Sequence, residues 1–326
     1  MKWSNRKPFL VAMGFIAALS LTSNIASASN TDQYKGKTVA YVPTSLGYDL
    51  TDGWNAMVGQ PLKELGINWE VRDPNWSTDA GAQAITSLIS QKPDVMLVQN
   101  PDVQSYSRLL GRAEKAGIRV VQVNMRSSQD TSAYVGADWV GIGKAMAEEI
   151  VKRCGAGSDT SGKVSIVQGV LTSASSVLQM QGVDEVLSQN SDIKVVSNQA
   201  ADWDASKARD ITKTVLKQNS DLCGVIGFWD GQDTGTAAAI HSEGLGDQVT
   251  LVSNGGAAST GCKNVRNGNF SVYVTYNVKT ESEDLVDVVK TLLDSGEKPA
   301  EMITKYAPVD RITLENIKDD SCWSIE

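Results

Sequence analysis

Residues 37–72 read KTVAYVPTSLGYDLTDGWNAMVGQPLKELGINWEVR. An apolar, β-branched run, Thr38–Val42, leads through a polar loop into an amphipathic segment, Asp52–Leu65. Gly66 closes that segment, as a glycine does at a helix C-terminus, and a second extended run, Asn68–Arg72, follows. The hydrophobic period changes from 2 to 3.6 and back, which marks a βαβ unit.

The same alternation continues outward. Strands are expected at Val95–Gln99 and Arg119–Val123, with helices at Thr78–Ser90 and Val103–Ala116. In the last helix Val103, Tyr106, Leu109, Leu110 and Ala113 recur at three- and four-residue spacing, one buried stripe. The pattern then begins again. Helices are expected at Trp139–Arg153, Ser175–Asn190, Asp204–Gln218 and Gln232–Glu243, and strands at Lys163–Gln168, Ile193–Asn198, Gly224–Phe228 and Val249–Val252. A strand at Phe270–Tyr276, a helix at Glu283–Leu293 and an extended Ile303–Ala307 complete the chain. Short apolar strands alternating with helices imply parallel sheets covered on both faces. The fold class is therefore α/β, with two Rossmann-like lobes. Ala133–Ala137, Val272–Tyr276 and Thr304–Pro308 are available to cross between them as a three-segment hinge. The expected division is residues 36–136 plus 277–305 for the N-terminal lobe and 137–276 plus 306–326 for the C-terminal lobe.

The first 28 residues differ in character. Lys2, Arg6 and Lys7 precede an apolar run from Phe9 to Leu21, and Ala26-Ser27-Ala28 supplies a small-residue cleavage pattern. This is the signature of a secretory signal peptide, residues 1–28. Its removal takes three positive charges, so the formal charge moves from −8 to −11. A chain this acidic is not expected to bind a nucleic-acid backbone. Export also gives meaning to four cysteines, Cys154, Cys223, Cys262 and Cys322, an even number that suggests two disulfides. They form no CxxC pair and His241 is the one histidine, so no metal site is expected.

Enzyme motifs fail on inspection. There is no G-x-S-x-G elbow. Gly141-Ile142-Gly143-Lys144 resembles part of a phosphate loop, but Asp138 stands where a glycine is required and Ala145 replaces the Ser/Thr. No cofactor is expected. The strand C-terminal ends, where open α/β sheets place their ligands, are instead rich in polar and aromatic residues. They carry Thr44 to Asp49, Gln99-Asn100, Asn124-Met125, Gln168-Gly169, Asp202-Trp203-Asp204, Trp229-Asp230, Asn254-Gly255 and Tyr276-Asn277. Aromatic faces pack on the C–H faces of a sugar while amides and carboxylates bond its hydroxyls.

These segments resemble the ribose/galactose-type periplasmic sugar-binding proteins, which have the type I periplasmic binding protein fold and serve ABC importers. The resemblance runs from Lys37 to about Thr313. It rests on Thr38–Tyr48, Val135-Gly136-Ala137-Asp138, Val167-Gln168-Gly169, Gln179-Met180-Gln181-Gly182, Ala201-Asp202-Trp203-Asp204, Gly227-Phe228-Trp229-Asp230 and Val252-Ser253-Asn254-Gly255-Gly256. It implies contacts at Thr44, Tyr48 and Leu50, an aromatic site at Trp203, an amide site at Trp229 and a hinge site at Tyr276. The family's Asp-Arg pair falls on Asn124-Met125, its second-lobe arginine on Val177 and its last aspartate on Gly255. With those charged forks absent, the expected ligand is a small neutral sugar or polyol, held by Thr44, Tyr48, Asn124, Gln179, Trp203, Trp229, Asp230, Asn254 and Tyr276. The expected partner is a membrane permease, the location the periplasm and the working state a monomer. A sensor partner that presents ligand to a chemoreceptor or histidine kinase is the alternative, and an aromatic cage for a quaternary ammonium remains open.

The cysteine pairing follows from the element order. The helix that ends at Cys154 starts at the cleft and runs away from it, and Cys223 precedes a strand on that same far side. Cys262 follows a cleft-side strand end, and Cys322 lies in the returning tail. The expected disulfides are Cys154–Cys223 and Cys262–Cys322.

Overall fold

The computed structural model describes residues 1–3 and 33–325. The expected signal peptide, 1–28, therefore lies almost wholly outside the described residues.

The first lobe is built from β1 (Thr38–Val42), α1 (Asp49–Glu64), β2 (Asn68–Val71), α2 (Thr78–Gln91), β3 (Val95–Val98), α3 (Ser107–Lys115), β4 (Arg119–Val123) and β5 (Ala133–Ala137). The second begins with α4 (Trp139–Cys154), β6 (Lys163–Gln168), α5 (Ala174–Leu187), β7 (Lys194–Ala200), α6 (Ala205–Gln218) and β8 (Gly224–Gly227). It continues with α7 (Asp230–Ser242), β9 (Thr250–Gly255), α8 (Ser259–Arg266) and β10 (Val272–Tyr276). The chain then returns with α9 (Val278–Ser295) and β11 (Ile303–Ala307), and crosses once more into β12 (Val309–Ile312). The strand orders are β11-β5-β4-β3-β1-β2 and β12-β10-β9-β8-β6-β7, the same arrangement twice. The chain passes between the sheets after β5, β10 and β11.

β3 and β8 are buried along their whole length, as strands covered on both faces must be. β2 and β7 are edge strands, and β7 is mostly exposed. The second sheet departs from the all-parallel expectation, because β12 pairs with β10 antiparallel, Tyr273 opposite Ile312 and Tyr276 opposite Val309. Topology requires it. The parallel strands end at the cleft, so a chain leaving the end of β11 enters the second sheet from the cleft side and runs against its neighbours.

α3 starts at Ser107 rather than Val103. The Asp102 carboxylate accepts the Gln104 and Ser105 N–H groups at 2.7 and 2.8 Å, which holds a turn ahead of the helix. Val103 N–H donates instead to the Thr172 carbonyl of the second lobe, 3.2 Å away. α9 extends five residues before its expected start because Asn277 caps it, accepting from Lys279 and Thr280 N–H. Trp54 is core: buried on α1, it donates to the buried Glu281 carboxylate on α9 at 3.0 Å. Burial pushes the Glu281 carboxyl well above the usual range.

The structure contains the Cys154–Cys223 and Cys262–Cys322 disulfides. The second anchors the tail. Next to it, Trp323 donates to the Gly256 carbonyl at 2.6 Å and lays its ring over Gly53 of α1, where a Cβ has no room.

Candidate functional site

The strand ends of both lobes enclose a cavity of about 530 Å³, within the range of small-molecule sites. The lobes also bond each other directly. Besides Val103 and Thr172, Ser175 Oγ lies 3.9 Å from the Met125 sulfur, and Asp49 at the start of α1 bonds Thr260 at the start of α8.

Thr44, after β1, is fixed by Gln99, after β3. The Gln99 Oε1 accepts the Thr44 N–H at 3.0 Å and its hydroxyl at 2.9 Å. The Tyr48 hydroxyl lies 3.0 Å from the Thr44 hydroxyl, and burial pushes the Tyr48 phenol up to about 12. Asn124, after β4, has φ 58°, a left-handed conformation that asparagine tolerates better than most residues. Its Oδ1 accepts Ala137 N–H at 3.2 Å, and its carbonyl accepts the Trp139 indole N–H at 2.7 Å. It thus ties the cavity floor to the first crossing segment. Tyr276, at the second crossing, packs edge-on against Trp139 with ring centres 4.9 Å apart.

Four rings form one wall. Trp76 stacks on Tyr48 at 5.3 Å, Tyr48 meets Trp229 edge-on at 5.6 Å, and Trp229 meets Trp203 edge-on at 6.3 Å. The Tyr48–Trp229 contact crosses between the lobes.

The structure brings Thr44, Tyr48, Asn124, Trp203, Trp229 and Tyr276 to this cavity and leaves three expected residues outside it. Gln179 and Asn254 are buried and bond each other, Asn254 Nδ2 donating to Gln179 Oε1 at 2.8 Å. Their bond links α5 to β9. Asp230 lines a separate space of about 230 Å³ beside Asp49 and Trp323. It accepts from the Tyr273 hydroxyl at 2.5 Å and from Gly231 N–H at 2.8 Å. As the first residue of α7, it lines only this smaller space, whereas Trp229 lines both. Val177 is 48% exposed and also lies off the cavity, whereas Ser175, two residues earlier in α5, lines it. The expected ligand set did not include Gln99, Asp102 or Tyr106, and the sequence left Trp76 and Trp139 open between ligand contact and packing; all five line the cavity. Trp76 had a signal: Asn75-Trp76-Ser77 repeats the pattern of Asp202-Trp203-Asp204 at the matching place in the first lobe.

Burial raises the Asp230 carboxyl to about 6, and the facing Asp49 adds to the rise, against the hydrogen bonds from Tyr273 and Gly231. Between pH 4 and 6 the folded chain holds a proton there that the unfolded chain has lost, so stability falls as pH rises through this window. The full loss above it is at most about 3 kcal/mol. Asp230→Asn is expected to remove this component, so that the melting temperatures of the two proteins converge below pH 4 and the variant gains above pH 6. Parallel melting curves across pH would contradict the assignment.

Comparison with known proteins agrees with this architecture. A family model described as a periplasmic binding protein domain matches residues 39–298. The D-allose-binding periplasmic protein of Escherichia coli is 30% identical over 155 residues, 45% of this chain and 49% of that protein, so the match spans about half of the relative's length. The ribose import binding protein RbsB of Salmonella typhimurium is 21% identical over 296 residues, 90% of this chain and 95% of that protein. Among solved structures, an ABC transporter solute-binding protein from Burkholderia graminis in complex with D-arabinose superposes with a TM-score of 0.78 at 21% identity, covering 88% of this chain and 98% of that one. The family model spans most of the chain and the fold is shared over 88% of it: the chain belongs to the periplasmic binding protein domain family.

Proposed function

We propose that this chain is the solute-binding component of an ABC importer, carrying a small neutral sugar or polyol in the cavity between its lobes to a membrane permease. The family is one of substrate-binding proteins, not of enzymes. The observation that carries the ligand class is the cavity's chemistry: aromatic rings, hydroxyls and amides, with no Lys, Arg or His among the lining residues. The carboxylates at its edge are occupied by their own loops. Asp102 holds the turn before α3, Asp202 pairs with Lys207 at 3.0 Å, and Asp204 caps α6 through Lys207 N–H at 2.8 Å. Each carboxylate is thus held by its own loop, and the glycine betaine arm of the screen below tests the quaternary ammonium reading directly. The relatives named for D-allose and ribose support a sugar.

Residues 36–136 plus 277–305 and residues 137–276 plus 306–326 are proposed to move as two bodies about the three crossings. Ligand that touches both lobes then favours the closed form. The proposed working unit is a monomer exported to the periplasm by residues 1–28, since one chain supplies both halves of the cleft.

A thermal-shift screen over D-allose, D-ribose, D-arabinose, D-fucose, xylitol and glycine betaine tests the reading. A ligand at a hundred times its Kd stabilises the folded chain by about 2.7 kcal/mol, so at least one sugar or polyol should raise the melting temperature by several degrees. The same ligand should reduce the radius of gyration in solution scattering. A response to glycine betaine alone would overturn the neutral-ligand assignment.

A further inference from the structure

The tail after β12 lies beyond residues 39–298, the stretch that the family model matches. Among the described residues of that tail one side chain is buried, Trp323. Its backbone is fixed to the second lobe. Trp323 N–H donates to the Ala257 carbonyl at 2.9 Å, and the Trp323 carbonyl accepts Ser259 N–H at 2.8 Å. The neighbouring Cys322 is bonded to Cys262 of α8. The indole N–H adds its bond to the Gly256 carbonyl, at the end of β9.

The ring reaches across to the first lobe. A Cβ on Gly53 of α1 would stand 2.5 Å from the indole, so the glycine leaves the notch in which the ring sits. Glycine inside a helix costs stability against alanine, and here the ring occupies the space that an alanine would fill. The same end of α1 meets the second lobe at two more places. Asp49 bonds Thr260, and Leu50 packs on Gly256. Tyr48 and Leu50 also line the large cavity, whereas Trp323 does not. Trp323 therefore acts on that cavity only through α1.

We propose that the tail is a latch between the lobes: Trp323 holds the end of α1 that carries Tyr48 and Leu50 against the second lobe, and so raises affinity for solute. The assignment rests on the reading of the large cavity as the solute site. Separating the lobes would draw Gly53 off the indole and give apolar ring surface to water, which is unfavourable. The arrangement in which both lobes line the cavity gains population, and apparent affinity scales with that population. Trp323 is thus a positioning residue.

Calorimetry tests this with whichever of D-allose, D-ribose, D-arabinose, D-fucose and xylitol binds the disulfide-bonded parent most tightly. Trp323→Ala should bind it at least fivefold more weakly. Gly53→Ala disturbs the same contact from the first lobe and should also weaken binding; it carries the test alone if Trp323→Ala does not fold. In the Trp323→Ala background, Gly53→Ala should cost less than twofold, because the ring that its Cβ meets is gone. Circular dichroism and melting verify that each variant is folded at the titration temperature. Before any solute is added, solution scattering should give Trp323→Ala a larger radius of gyration than the parent. A tail that only anchored the fold would lower the melting temperature and leave affinity and radius unchanged. Parent affinity in folded Trp323→Ala overturns the latch, and so does an equal radius without solute. Additive losses in the double variant overturn the contact with Gly53 as its mechanism. If none of the five solutes binds, the sugar reading fails, and the radius without solute alone decides the latch.

Discussion

Replacing Trp229 by alanine is expected to weaken ligand binding roughly 70-fold. A fully buried indole covers about 150–250 Å². With about 100 Å² of it against ligand, at roughly 25 cal/mol per Å², the loss is about 2.5 kcal/mol. The position is more sensitive than a rim residue. Trp229 meets Tyr48 of the opposite lobe at 5.6 Å and Trp203 of its own lobe at 6.3 Å, so its removal also takes away a contact between the lobes. Calorimetry with the best ligand from the screen gives the affinity, and scattering at saturating ligand gives the closure. His241, exposed near the end of α7, is the matched control on the same helix, and His241→Ala should bind as the parent does. If Trp229→Ala kept the parent affinity while folded, the ring wall would not be the ligand surface.

Removal of the Cys154–Cys223 disulfide by the paired change Cys154→Ala and Cys223→Ala is expected to lower the melting temperature by roughly 10 °C. The bond closes a loop with a sequence separation of 69. Restricting the unfolded chain over such a loop is worth about 4 kcal/mol in the chain-entropy account. For a lobe of this size each kcal/mol shifts melting by about 2–4 °C. The bond joins the far end of α4 to the start of β8, remote from the strand end that carries Trp229. Ligand affinity measured well below melting should therefore change little. A paired variant that melted with the parent would show that the loop is already constrained by the buried packing of α4 on β8 and β9.

Much of the architecture was legible in the chain. Apolar runs of four to six residues bounded by turns fall on β1, β3, β4, β6 and β8 to within a residue, because strands buried on both faces admit few other sequences. Element boundaries were legible only where the deciding groups are local. α3 starts late because Asp102 binds the two N–H groups beyond it, and the expected stripe beginning at Val103 gives way to a bond with the other lobe. β12 was not legible: Val-Asp-Arg-Ile has one buried end and two exposed charges, and only its position at the mouth of the second sheet makes it a strand. In the site, Trp203, Trp229 and Tyr276 could be found because strand ends in this fold face the cleft. Gln179 and Asn254 could not be excluded, since an amide that packs a helix onto a sheet looks in sequence like an amide that binds a hydroxyl.

The sequence by itself determined the two repeated βα arrays, the absence of charged forks at the strand ends and the cysteines available for pairing. These depend on hydrophobic period, residue type and element order, which are local or nearly so. The tertiary structure decided which side chains share one cavity. Trp76 and Trp203 lie 127 positions apart in the chain and end one ring wall, while of the adjacent Trp229 and Asp230 only Trp229 reaches the larger cavity. The turn into α7 gives neighbouring side chains different partners, Tyr273 for Asp230 and Tyr48 for Trp229, and the meeting of two lobes joins residues that no sequence spacing relates.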